Sequence, residues 1–158
     1  MIDPNLSRWI WASCSKFFDD RKGDLTIFFE GDDRDTAKLK DFIEFRMDGP
    51  RSRTISHNYT RHDVFINILV QSTMDSMDTH RFWRTVGLVQ ALFVPCIPVY
   101  KYGDGPDDDP SVMVGVLQIR NDGFNGEQLK VSAFGQVDPT VRVQQATIEA
   151  NYRMNLSE

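Results

Sequence analysis

Arg61-His62-Asp63-Val64-Phe65-Ile66-Asn67-Ile68-Leu69-Val70-Gln71-Ser72-Thr73 is followed, a few residues on, by Thr79-His80-Arg81-Phe82-Trp83-Arg84-Thr85-Val86-Gly87-Leu88-Val89. The change of spacing between the two stretches decides the fold. In the first, Val64, Ile66, Ile68 and Val70 share one side of an extended chain, while Phe65, Asn67, Leu69 and Gln71 share the other. One face is wholly apolar and the second mixed, the pattern of an interior strand fully covered on one side and partly on the other. Asp75-Ser76-Met77-Asp78-Thr79 then supplies several N-cap residues and the alternation stops. Phe82, Val86, Val89 and Phe93 recur at helical steps, with Trp83 and Leu92 widening the stripe, and Val94-Pro95 is expected to close the helix. This helix is the nearest cover for the strand's apolar face.

Working outward toward the N-terminus, Asp3-Pro4 is a helix start, and an amphipathic helix is expected to run to about Asp19. Leu6, Trp9, Ile10, Ser13 and Phe17 form its stripe, flanked by Trp11, Cys14 and Phe18, before Gly23 stops it. Leu25 to Glu30 reads as a strand, and Gly31 to Lys38 as charged turns. Phe42-Ile43-Glu44-Phe45-Arg46-Met47 alternates again, until Asp48-Gly49-Pro50 ends or bends it. Residues 42 to 72 therefore read as a long β-hairpin with a projecting tip. The tip carries Arg51, Arg53 and His57, with Arg46 and Arg61 at its base, a local positive patch in an acidic chain and a candidate partner-binding site.

Toward the C-terminus, Ile97 to Tyr102 fits an edge strand, because Pro98 cannot donate to a ladder. Gly103 to Pro110 is an acidic loop whose carboxylates lack calcium-loop spacing and read as solvated. Strand patterns follow at Val112 to Ile119, Leu129 to Val137 and Val141 to Leu156, separated by the turn signals Asn121-Asp122-Gly123, Asn125-Gly126 and Asp138-Pro139. The element order predicts an α+β fold: a mixed or mainly antiparallel sheet, two amphipathic helices packed on one face, and the hairpin projecting.

Composition bounds what such a fold does. The 158 residues fit a single domain spanning 1–158, and 41% hydrophobic with 26% charged residues is globular. A net charge of -5 and a pI near 5.2 argue against a protein that grips nucleic acid through a broad basic surface. No signal-peptide or membrane-spanning pattern is present in the sequence. Cys14 and Cys96 sit among apolar neighbours and read as small buried hydrophobes in a reducing compartment rather than as a disulfide. His57, His62 and His80 do not form metal-ligand spacing, and neither a phosphate-cradling glycine loop nor a nucleophile elbow occurs, so the expectation is no enzyme, no metal and no cofactor. Trp9, Trp11 and Trp83 are generous for one small sheet, and a neighbouring subunit is a natural cover for some of them.

Asp63-Val64-Phe65-Ile66-Asn67-Ile68, Phe82-Trp83-Arg84-Thr85-Val86-Gly87-Leu88-Val89 and Ala150-Asn151-Tyr152-Arg153-Met154, in this element order, resemble the tail terminator proteins of long-tailed bacteriophages, of the lambda minor tail protein U type. The resemblance covers most of the chain through element order and loose phrases. It departs from the family in a larger region between the central helix and the last strand, including the acidic loop. It implies a structural virion protein, located at the head-proximal end of the tail and assembled in the host cytoplasm. Its members form a hexameric ring that caps the tail tube, ends tube polymerisation and joins the head-side connector or stopper, with DNA passing through the lumen unbound. Asn151, Arg153 and Trp11 are then the candidate subunit-interface residues. The alternatives are another phage neck or head-tail completion protein, or a small α+β ligand-binding domain or enzyme.

Overall fold

A computed structural model describes residues 2–29, 41–73, 79–121, 128–136 and 143–157. The elements run α1 (Leu6–Arg21), β1 (Ile27–Phe28), β2 (Asp41–Ser56), β3 (Tyr59–Thr73), α2 (Thr79–Gln90), β4 (Cys96–Lys101), β5 (Asp109–Ile119), β6 (Lys130–Gln136) and β7 (Val143–Ser157). The strands form one sheet in the order β1-β2-β3-β7-β5-β4, with β6 also on β7. Among the described residues only β1 and β2 are parallel, so the fold is α+β with a mixed, mainly antiparallel sheet.

The long alternation beginning at Tyr59 becomes the sheet's interior strand, paired along its length with β2 on one side and β7 on the other. Val64, Ile66, Ile68 and Val70 are at most 1% exposed. Ala146, Ile148, Ala150, Tyr152 and Met154 of β7 lie buried beside them, and both helices cover this face. Burying each such large aliphatic side chain contributes about 2 kcal/mol, which is why the pairing register is fixed. Tyr152 keeps its hydroxyl satisfied by donating to the Val94 carbonyl at 2.9 Å, and burial pushes its ionisation upward.

β4 is an edge strand, as its proline suggests, and α1 guards it. Ser13 Oγ donates to the Tyr100 carbonyl at 3.2 Å and accepts from the Tyr100 amide at 3.0 Å. One hydroxyl thus satisfies the Tyr100 amide, which the edge would leave open, and shares the Tyr100 carbonyl with the Tyr102 amide at 2.8 Å.

Several boundaries differ from the sequence reading. Helix α1 begins at Leu6 rather than Asp3 and ends at Arg21 rather than Asp19. Asp3 instead closes a preceding turn, its carboxylate accepting from the Asn5 amide at 2.8 Å and its carbonyl from the Leu6 amide at 3.1 Å. Helix α2 ends at Gln90, and a tight turn carries Leu92 and Phe93 into the core. Its buried stripe is Phe82, Thr85, Val86 and Val89, leaving Trp83 45% exposed. Trp83 lies roughly 100° around the helix from Phe82, beyond the reach of the sheet. The strand expected at 25–30 is two residues long. Cys96 is exposed, because β4 turns Ile97 and Val99 inward. Both thiols are free. The charged turns at 31–38, the caps at 75–78 and the turns at 122–126 and 138–140 lie outside the described residues.

Candidate interaction surface

The hairpin owes its basic side to a β-bulge. Asp48 is opposite Phe65, yet Arg51 is opposite Asp63: β2 advances three residues while β3 advances two. The extra residue reverses the side-chain parity of β2. Arg51 and Arg53 thereby join Arg46 on the sheet face opposite the helices, where an unbroken strand would have placed them on the helix side. The bend is made at Gly49, whose φ of +109° favours glycine and where a Cβ would stand 2.8 Å from the Asp63 carbonyl oxygen.

The strand register assembles the rest of this face. Arg61 and Asp63 of β3 point the same way as Phe65, Asn67 and Leu69, and β7 adds Glu149, Asn151, Arg153 and Asn155. The two candidate groups, hairpin cations and C-terminal strand polar residues, are therefore one surface. Arg46 Nε donates to Glu44 Oε1 at 2.6 Å, Arg51 Nη2 to Asp48 Oδ2 at 2.7 Å, and Arg153 Nε to Asp63 Oδ1 at 2.7 Å. Arg120 Nη1 lies 3.8 Å from the same Asp63 oxygen. Arg53 and Arg61 are the exception: they face one another directly across the strands, and among the described residues neither has a polar partner. Arg61 Nε is itself buried without a hydrogen-bond acceptor.

The tip does not project as a bare hairpin. Strand β7 follows β3 outward until Ser157 pairs with Tyr59, making a three-stranded ribbon. His57 occupies the exposed turn at its end. Residues 51–59 are all exposed.

Trp11 is separate from this surface. It is 38% exposed on the outward side of α1, as Trp83 and Leu88, at 45% and 47%, are on α2, so the helix layer carries its own exposed apolar groups.

Two further constellations sit on the helix side. His62 is buried where the ribbon leaves the core, its Nδ1 2.7 Å from Ser52 Oγ and its Nε2 3.0 Å from Thr60 Oγ1. Burial pushes its pKa below the ordinary histidine value, against the opposing pull of the Asp63 charge. The sequence carries no local sign of this cluster, because only the bulge brings Ser52 to the side of His62. The acidic loop is also more structured than its composition suggested. Asp108 accepts from Trp9 Nε1 at 2.6 Å, from Arg8 Nη2 at 2.7 Å and from the Gly105 amide at 2.8 Å. Those donors, Trp9 foremost, hold its carboxyl below the usual carboxylate range. Asp104 and Asp107 stay exposed, and among the described residues neither has a partner.

Among the described residues no three His, Cys, Asp or Glu side chains are grouped to hold a metal, and no helix is long and apolar enough to cross a membrane. No protein-family model matches the chain and no curated protein matches it, so the role of the surface has to be read from its own residues.

Proposed function

We propose that this chain is a phage tail terminator, a structural virion protein that closes into a six-membered ring on the end of the tail tube, stops tube growth and receives the head-side connector. The observation that carries the reading is the pair of dissimilar open surfaces on opposite sides of the subunit. The sheet face presents the arginine-rich ribbon with Asn151 and Arg153. The helix layer presents Trp11, Trp83 and Leu88. A head-to-tail ring needs two different patches per subunit, each burying about 800 Å² in a stable contact. The three-stranded ribbon supplies the reach for one of them. The chain's excess of acid suits a lumen through which DNA slides, since affinity for the phosphate backbone comes from cations that displace counterions.

Purified tails imaged by cryo-microscopy test the proposal. This protein is expected as a six-fold ring at the head-proximal end, and tails assembled without it are expected to overgrow. An Arg51→Ala, Arg53→Ala, Arg61→Ala triple variant should melt within about 3 °C of wild type, since Arg51 and Arg53 are exposed and the half-buried Arg61 faces a like charge with no carboxylate, yet fail to join the tube. A location only inside the capsid or at another level of the neck would overturn the reading, as would a monomer with catalytic turnover.

A further inference from the structure

Arg53 and Arg61 face each other as like charges, an arrangement that disfavours the ribbon unless an anion joins them. Every other described arginine on this face already has a carboxylate: Glu44, Asp48 or Asp63. Arg53 and Arg61 are thus two adjacent unpaired arginines near the tip of the ribbon, set apart from Lys130, which stands on this face opposite Glu149. A duplex is gripped through a broad run of free cations, whereas this face has its other described arginines tied to carboxylates; a pair of carboxylates on a protein partner matches the two adjacent guanidinium forks.

The same chain carries such a pair. Asp104 and Asp107 are exposed and unpaired among the described residues, on the loop between β4 and β5. Asp108, between Asp107 and the start of β5, ties this loop to Arg8 and Trp9 of α1 and to the Gly105 amide. The aspartates are therefore held on the helix side, opposite the arginines, with little ordering left to be done on contact.

We propose that Arg53 and Arg61 of one copy receive Asp104 and Asp107 of the next, forming the head-to-tail contact of the ring. This rests on the terminator reading for the closure of the ring, although the contact itself is a property of the free chain. Because the two halves lie on different sides of the subunit, the contact propagates rather than pairing two copies face to face.

Reciprocal charge reversal tests it. Self-association is followed by sedimentation over a wide protein concentration range at low and high salt, with circular dichroism and thermal melting to establish folding. Wild type should associate, and more weakly as salt rises. Arg53→Glu/Arg61→Glu alone and Asp104→Arg/Asp107→Arg alone should each associate at least about tenfold more weakly. Equal amounts of the two should recover association, because every contact in a strictly alternating assembly is again complementary. Such an assembly closes only with an even number of subunits. Folded variants that associate like wild type, a mixture that does not recover, or a wild type that remains monomeric at every concentration would each overturn the contact. So would arginine variants that alter only DNA retention. The function fails separately: rings that obey the charge rules in solution but are absent from tail ends would leave the contact standing and remove the terminator role.

Discussion

Replacing Ser13 by Ala removes one oxygen and, by the geometry above, two hydrogen bonds. Ser13 is 2% exposed, and its hydroxyl both donates to the Tyr100 carbonyl and accepts from the Tyr100 amide. Each neutral bond contributes about 1 kcal/mol net; the Tyr100 carbonyl keeps the Tyr102 amide as a donor, while the stranded Tyr100 amide regains water only in part, so the loss should be about 2 kcal/mol. For a chain of this size that lowers the melting temperature by roughly 4 to 8 °C. The local signature is sharper. The Tyr100 amide, having lost its acceptor, should lose most of its protection, whereas amides at the centre of β3 should accelerate by the global loss alone, about thirtyfold for 2 kcal/mol. Hydrogen exchange read by NMR, beside a thermal melt, measures both. A melting temperature within about 1 °C of wild type together with an unchanged Tyr100 amide would refute the reasoning.

Val86 is 2% exposed against the sheet, so Val86→Asp should bury an unpaired charge, cost several kcal/mol and abolish the cooperative melt seen by circular dichroism. Asp108 has its folded-state pKa depressed below 3.8, so the stability it contributes is fully present above that value and is lost as pH falls through the lower folded value. Acid titration should accordingly loosen α1, and Asp108→Asn should flatten that acid limb while weakening the fold at neutral pH. Cys96 is exposed, while Cys14 is fully buried with its thiol pushed up to about 12. A thiol reagent should therefore label Cys96 in the native protein and reach Cys14 only on unfolding, as counted by mass spectrometry.

The strands were legible wherever one face is apolar. Val64 to Val70 and Ala146 to Met154 alternate without a break, and a one-residue slip would expose every one of those side chains. The helices were legible as stripes but not at their ends, since the turn after Gln90 keeps Leu92 and Phe93 buried by a different backbone path. The basic patch was visible as composition, yet its layout was not. Arg46, Arg51 and Arg53 share a face only because one extra residue near Gly49 reverses the parity, and the sequence signal, Asp48-Gly49-Pro50, does not say whether a strand ends there or bends. Asp108 looked like any other member of an acidic loop because its partners, Arg8 and Trp9, are a hundred residues away along the chain. No local pattern marks a pairing of that span.

Strand β7 is central in space and late in sequence. It joins β3 along one edge and both β6 and β5 along the other, and its pairing of Ser157 with Tyr59 closes a loop of roughly a hundred residues. During synthesis β2 and β3 emerge as a hairpin whose free edge has nothing native to bind until residue 157 clears the ribosome. The domain is therefore expected to fold only once β7 is available, and in one step, with slow, topology-limited kinetics. A nascent chain arrested before Val143 would hold an exposed strand edge and an uncovered apolar face, which makes it a client for a chaperone rather than a partly working subunit.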